Sequence, residues 1–169
     1  MIVATPRRGP ALYYHFKTKE EIIVSLFEDL TQPIADLIEW GRGQPHTLET
    51  KREILRRYSE ALSRAEPLFR FMQENQATVR ELRIGETFKD RMHGLREILL
   101  DPDAELVDQV RSLSAMFTLH AGMFVMQDLV GDVEKRRQAV LDVALDLVTQ
   151  AHEHAHTHAD ADTDTDTDG

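Results

Sequence analysis

Residues 11–27 read ALYYHFKTKEEIIVSLF, and this stretch joins an aromatic, basic segment to the start of an amphipathic helix. Thr18 and Glu21 match a capping box, in which the Thr hydroxyl accepts from the Glu21 amide and the Glu side chain reaches back. Apolar residues then recur every three or four positions as far as Ile38, which is typical of one helix face. We therefore predict a long helix that starts at Thr18 and ends in the segment 41–45.

The rest of the chain continues this helical periodicity. Alternation of polar and apolar residues, the pattern of a strand, is absent. Turn and capping residues predict helix boundaries at Thr47, Glu66-Pro67, Gly85, Asp101-Pro102 and Gly131-Asp132. The expected fold class is all-α.

Composition limits the compartment and the partners. The chain has 169 residues and no cysteine, so it can form neither a disulfide nor a thiolate metal site, and we expect a cytoplasmic protein. No apolar stretch approaches the roughly 18 to 20 residues of a membrane span, so we expect no membrane partner. The formal net charge is -10, but residues 1–19 carry four basic residues and no acid. Nucleic-acid contact by that end alone is compatible with this distribution.

Residues 12–21 read LYYHFKTKEE. This run resembles the recognition helix and linker of the tetracycline-repressor (TetR) family of transcription regulators. A Tyr offers a ring edge to thymine methyls and a hydroxyl to phosphate, and a Lys in the first turn of a helix can share a phosphate with free amides. The resemblance implies that operator DNA is contacted by Pro10, Ala11, Tyr13, Tyr14, His15 and Lys19. The alternative is that the aromatic residues form a small core.

The resemblance implies a helix-turn-helix regulator, by family default a repressor, that a small-molecule ligand releases from double-stranded operator DNA. We assign residues 1–45 to a partial DNA-binding domain with its connecting helix, 46–152 to a regulatory and dimerisation domain, and 153–169 to a disordered His/Asp-rich tail. Only nine residues precede Pro10, where the family has two more helices. We therefore expect weakened or absent operator binding, with a mis-assigned start as the preferred explanation and a true truncation as the second. The alternative function is a dimeric helical ligand-binding or interaction protein that has lost DNA binding.

The regulatory domain is expected to form a homodimer and to bind a small apolar or amphipathic ligand. By resemblance, the last two helices, about 103–129 and 132–152, pair with those of a second copy. Met and aromatic side chains adapt well around apolar ligands, and one His would add a polar contact. The predicted pocket residues are Phe69, Met72, Met92, Leu95, Phe117, His120, Met123 and Phe124. The alternative is that these residues are ordinary core.

Enzymatic function is not expected. The Glu-x-x-His pair that helical di-iron proteins use occurs only at Glu153 and His156, in the tail, and there is no Gly-rich phosphate loop. Alternating His residues in the tail suit divalent metals, but the pattern implies no fixed geometry. We therefore predict no cofactor and no metal site.

Overall fold

The computed structural model describes the backbone of residues 18–76, 84–124 and 132–163. Side chains are described for Thr18 and for residues 21–76, 84–122 and 132–155. These ranges contain five helices, which confirms the predicted all-α fold. The helices are α1 (Lys19–Arg42), α2 (Leu48–Glu74), α3 (Ile84–Leu99), α4 (Leu106–Phe124) and α5 (Val133–Thr163).

Helix α1 has the predicted start and end. Thr18 is its N-cap, with an extended backbone and a hydroxyl that accepts from the Glu21 amide at 3.2 Å. At the other end the Gly43 amide donates to the Trp40 carbonyl at 3.1 Å. The capping and stop signals read from the sequence are therefore the ones that the helix uses.

The predicted helix boundary at Glu66-Pro67 is wrong, because α2 passes through it. One helix runs from Leu48 to Glu74 with Pro67 inside it. A proline removes the hydrogen bond to the carbonyl four residues before it, here that of Ser63. Both Ser63 and Pro67 are exposed, so water can replace the missing donor. The cost of the proline is thereby reduced, and the apolar face on the other side of the helix continues.

Two other predicted boundaries shift. Gly85 lies in the first turn of α3 and does not precede the helix, because the buried Ile84 holds that turn against Phe27. Asp101 starts a turn before α4, accepting from the Asp103 amide through its side chain at 3.1 Å. At α5 the prediction is confirmed, since the Asp132 carboxylate accepts from the Lys135 amide at 2.9 Å.

The core lies where α2 meets the other four helices. Its fully buried side chains include Ile34, Ile54, Leu55, Tyr58, Leu95, Leu99 and Val148. Helices α1 and α3 cross at short range, because a Cβ at Gly94 would lie 2.9 Å from Ile38 Cδ1 and one at Gly41 would lie 2.7 Å from Ile98 Cδ1. Displacing α3 would therefore press directly on α1.

Helices α4 and α5 run antiparallel. Gly122 near the end of α4 lies against Val140 near the start of α5, and Asp108 at the start of α4 contacts His154, two turns or more further along α5. The pair buries Ala115, Met116, Leu119 and Ala144 in the common core.

Helix α5 continues through Thr163 and so includes residues 153–163 of the segment for which we expect disorder. Ala, Glu and His residues extend a helix that has already formed, since Ala and Glu have high helix propensity and elongation needs no new nucleus. His154 is also held by a hydrogen bond from its Nδ1 to Asp108 Oδ2 at 2.9 Å. Residues 164–169 lie outside the described residues.

Candidate ligand site and protein interfaces

The predicted DNA-contacting residues lie almost entirely outside the described part of the chain. These are Pro10, Ala11, Tyr13, Tyr14 and His15. Lys19 is the first residue of α1, but its side chain is not among those described. The described residues begin at Thr18, after the aromatic segment. The DNA contacts of that segment therefore stay a prediction.

Helix α1 changes character along its length. Toward its start, Ile22 and Leu26 are 46% and 50% exposed and lie one turn apart on the same face. Further along, Ile34, Leu37 and Ile38 are buried in the core. At 1.5 Å per residue the helix is about 36 Å long. It therefore carries exposed apolar side chains near its start and is anchored in the core at its other end.

Tyr58 and His120 form a buried polar pair between α2 and α4. Tyr58 is 1% exposed, and its hydroxyl lies 2.5 Å from His120 Nε2. His120 Nδ1 lies 3.2 Å from the Met116 carbonyl, which can only accept. Nδ1 therefore carries the proton, and Nε2 accepts from the Tyr58 hydroxyl.

Burial keeps both partners neutral. Desolvation lowers the pKa of His120, and this outweighs the opposing effect of the Met116 carbonyl. Desolvation also raises the pKa of the Tyr58 hydroxyl well above its usual value. The edge of the Phe88 ring faces His120, with the ring centroids 6.1 Å apart. The pair is thus a hydrogen-bonding group set in an apolar, aromatic surrounding.

Four of the predicted pocket residues belong to the core around this pair. Phe69 and Leu95 are buried, and Met72 and Met92 are partly buried against the same cluster. Sequence reasoning missed Tyr58 and Phe88. Spacing could have indicated them, because Phe88 precedes Met92 and Leu95 by four and seven residues, and Tyr58 precedes Phe69 by eleven.

Phe117 does not belong to this group. Its side chain is 61% exposed, and it follows Leu106, Val110 and Leu113 at the spacing of a single helix face. The Phe117 side chain is turned outward, so the structure does not bring it together with the four predicted pocket residues around Tyr58 and His120. The side chains of Met123 and Phe124 lie outside the described residues.

Large exposed apolar side chains concentrate on the last two helices. Apart from Ile22 and Leu26, every large hydrophobic residue found exposed in the described ranges lies on α4 or α5. They are Leu106, Val107, Val110, Phe117, Val133 and Val143. A concentration of exposed apolar side chains on one pair of helices favours an interaction site there.

No known protein-family model matches this sequence, and a search of curated proteins finds no significant match. Among the described residues, no helix is both long and apolar enough to cross a membrane. The same residues contain no group of three or more His, Asp or Glu side chains arranged to hold a metal ion.

Proposed function

We propose that this chain is a ligand-responsive transcription regulator of the TetR type, which contacts double-stranded operator DNA through Pro10, Ala11, Tyr13, Tyr14, His15 and Lys19. The observation that carries the proposal is the course of α1. This helix starts at the capping box that follows the aromatic segment in sequence, carries the exposed pair Ile22 and Leu26 near its start, and ends among buried residues.

The ligand site of this proposal surrounds Tyr58 and His120. A small apolar or amphipathic molecule would pack on Phe88 and Met92 and exchange a hydrogen bond with the Tyr58–His120 pair. Because the pair is satisfied without ligand, such a molecule must replace the bond that it breaks, which selects for a polar group on the ligand.

Helix α3 provides the connection from this site to α1. Phe88 and Met92 lie on α3, and α3 crosses α1 at the Gly94–Ile38 and Gly41–Ile98 contacts. A ligand that displaces α3 would therefore move α1 and the segment before it. A coupling free energy of about 1 to 3 kcal/mol per site is enough to regulate binding.

The exposed apolar surface of α4 and α5 is the proposed homodimer interface. Two copies related by a two-fold axis would bring four helices together and place two reading segments on a palindromic operator. Val143 and Phe117 would be covered by this pairing.

Selection from a random-sequence duplex library tests the DNA-binding part. At low salt, where phosphate contacts are strongest, we expect the purified chain to enrich an inverted repeat. Tyr14→Ala and Lys19→Ala should each weaken binding to that repeat by about tenfold in a mobility-shift assay. Arg64→Ala, at a surface position of α2, is the matched control and should bind as the parent does.

Absence of any enriched sequence would overturn this function for the chain. It would favour the second candidate, a dimeric helical ligand-binding or interaction protein. One observation favours that candidate: α1 to α5 bury a continuous core and leave an apolar surface on α4 and α5 that needs no DNA.

A further inference from the structure

A cavity lined mostly by polar and charged residues lies at the opposite end of α2 from Phe69. It has a volume of about 270 Å³ and is bounded by the start of α2, the turn before α4, the start of α4 and residues 151–155 of α5. We call it the Lys51 cavity. Its lining includes Lys51, Ser112, Asp101, Asp103 and Asp108. None of the residues assigned above to the Tyr58–His120 site lines it, so it is a separate feature.

Lys51 is the unusual residue of this cavity. Its side chain is only 5% exposed, yet its ammonium makes no hydrogen bond or ion pair with any described residue. Asp101 and Asp108 act on it through space, but neither carboxylate is within the 4.0 Å of an ion pair. Burial lowers the pKa of Lys51, and the two carboxylates oppose that shift. Among the described residues, the buried side-chain nitrogen without a partner is Arg91 Nη1, so the Lys51 ammonium reaches the cavity, where an entering acceptor can pair with it.

Ser112 adds a second buried donor to the same cavity. It is 3% exposed, and its hydroxyl has no hydrogen bond to a described residue. The hydroxyl oxygen is not sealed from solvent, so it can donate into the cavity. Lys51 and Ser112 together therefore present two donors to one cavity, which is the chemistry that receives a carboxylate.

The acidic side chains of the cavity fall into two groups, one bonded within the protein and one at the rim of the cavity. Asp108 is 2% exposed and both of its oxygens are occupied, by Arg111 Nη1 at 2.7 Å and by His154 Nδ1 at 2.9 Å. Burial alone would raise the pKa of Asp108, but these two hydrogen bonds outweigh it and leave the pKa below its usual value. Asp108 therefore lines the cavity with both of its oxygens already bonded to the protein. Asp101 is half-buried and Asp103 is exposed, and the two form an acidic rim.

This arrangement disfavours simple ions of either sign. A free anion would meet the carboxylates of Asp101 and Asp103, and a metal cation would meet the Lys51 ammonium. A zwitterion matches both sides. The volume lies just below the roughly 300 Å³ at which pockets for drug-sized molecules begin, so it suits a small metabolite.

We propose that the Lys51 cavity binds a small zwitterion, an amino acid or a close analogue. Its carboxylate accepts from Lys51 and Ser112, and its ammonium faces Asp101 and Asp103. This binding is independent of DNA contact and of the Tyr58–His120 site.

Calorimetric titration of the full chain with each standard protein amino acid, at millimolar concentration, tests the proposal. We expect at least one amino acid to bind saturably, while acetate and ethylamine, which each carry only one of the two charges, do not. Lys51→Met keeps the buried stem and removes the charge. It should weaken binding by about tenfold or more and raise the melting temperature of the free protein, because the unpartnered ammonium is gone. Ser112→Ala should weaken binding to a lesser degree.

Lys135→Met is the matched control, because the Lys135 side chain is 80% exposed at the start of α5. It should bind as the parent does. Three results would each overturn the proposal: no binding by any amino acid, which means that water alone fills the cavity; equal binding of acetate; or unchanged affinity in a folded Lys51→Met protein.

Discussion

At the scale of single residues, the Tyr58–His120 pair shows how burial determines protonation. The Met116 carbonyl accepts from Nδ1, so Nε2 must accept from the Tyr58 hydroxyl. Protonating the ring would place a charge in a largely apolar surrounding and remove the acceptor that Nε2 offers to the Tyr58 hydroxyl. The neutral form of His120 is therefore part of the folded state.

This pair predicts a loss of stability in mild acid. Because the pKa of His120 is lowered in the folded protein, the unfolded chain takes up its proton first as the pH falls below about 6.5. Stability from this group is complete above that pH and declines below it. In urea unfolding between pH 7 and pH 5, His120→Gln should lessen the fall in unfolding free energy, by up to about 1.4 kcal/mol per pH unit.

His93→Gln, at an exposed position of α3, is the control for this measurement. An identical pH slope in the parent and in His120→Gln would contradict the assignment. Asp108 acts in a different window, because its lowered pKa contributes stability that is lost only as the pH falls through the ordinary range of carboxyl groups.

Prediction from sequence succeeded unevenly at this scale. His120 is recognisable as the polar member of an apolar group, because its position on a helix face is a local property. Tyr58 is not, since its partner lies 62 positions away and on another helix. The burial of Lys51 has the same origin: its sequence neighbours are polar, and the side chain is covered by residues of α4 and α5, which are distant in the chain.

At the scale of elements, local chemistry predicts where a helix is capped better than it predicts how long the helix is. Thr18 and Asp132 cap α1 and α5 as predicted, because a cap involves only the next three residues. Pro67 does not end α2, because the penalty at an exposed proline is smaller than the gain from burying Leu68 and Phe69 on the continuing helix. A local signal therefore fixes a helix end where a cap is formed, and it fails where tertiary burial continues the helix.

The antiparallel contact of α4 and α5 predicts a size limit at Gly122. A Cβ at this position would lie 2.6 Å from Val140 Cγ1 and 2.8 Å from Cγ2. Gly122→Ala should therefore cost about 1 to 3 kcal/mol of unfolding free energy through overpacking, measured in urea. Adding Val140→Ala should recover part of this loss, since the two side chains compete for one space.

Gly85→Ala is the matched control for Gly122→Ala, because no atom lies within 4 Å of a Cβ at Gly85. It should leave stability unchanged or raise it by up to about 1 kcal/mol. If Gly122→Ala behaves like Gly85→Ala, the close packing of α4 on α5 is refuted.

At the scale of the whole molecule, the proposed homodimer predicts a change of mass on a single substitution. Val143 is 51% exposed on α5, within the apolar surface that would be covered in the dimer. Val143→Glu places a carboxylate, and its two-fold mate, in that surface. We expect the variant to elute as a monomer in size-exclusion chromatography with light scattering, where the parent elutes as a dimer.

Leu26→Glu is the matched control for Val143→Glu, since Leu26 is 50% exposed on α1 and outside the α4–α5 surface. It should leave the mass unchanged. A monomeric parent would remove the homodimer from the proposed function, whereas dissociation by Leu26→Glu and not by Val143→Glu would move the interface to α1.

The sequence by itself determined the all-α fold, the two capped helix starts and the aromatic segment that resembles a DNA reader. All three depend on interactions within a few residues, which periodicity and capping chemistry express directly. Only the tertiary structure decided that Tyr58 pairs with His120, that Phe117 faces outward, and that Lys51 is buried beside Asp108. These outcomes depend on which helix faces meet across the bundle, and residues distant in the chain determine that jointly.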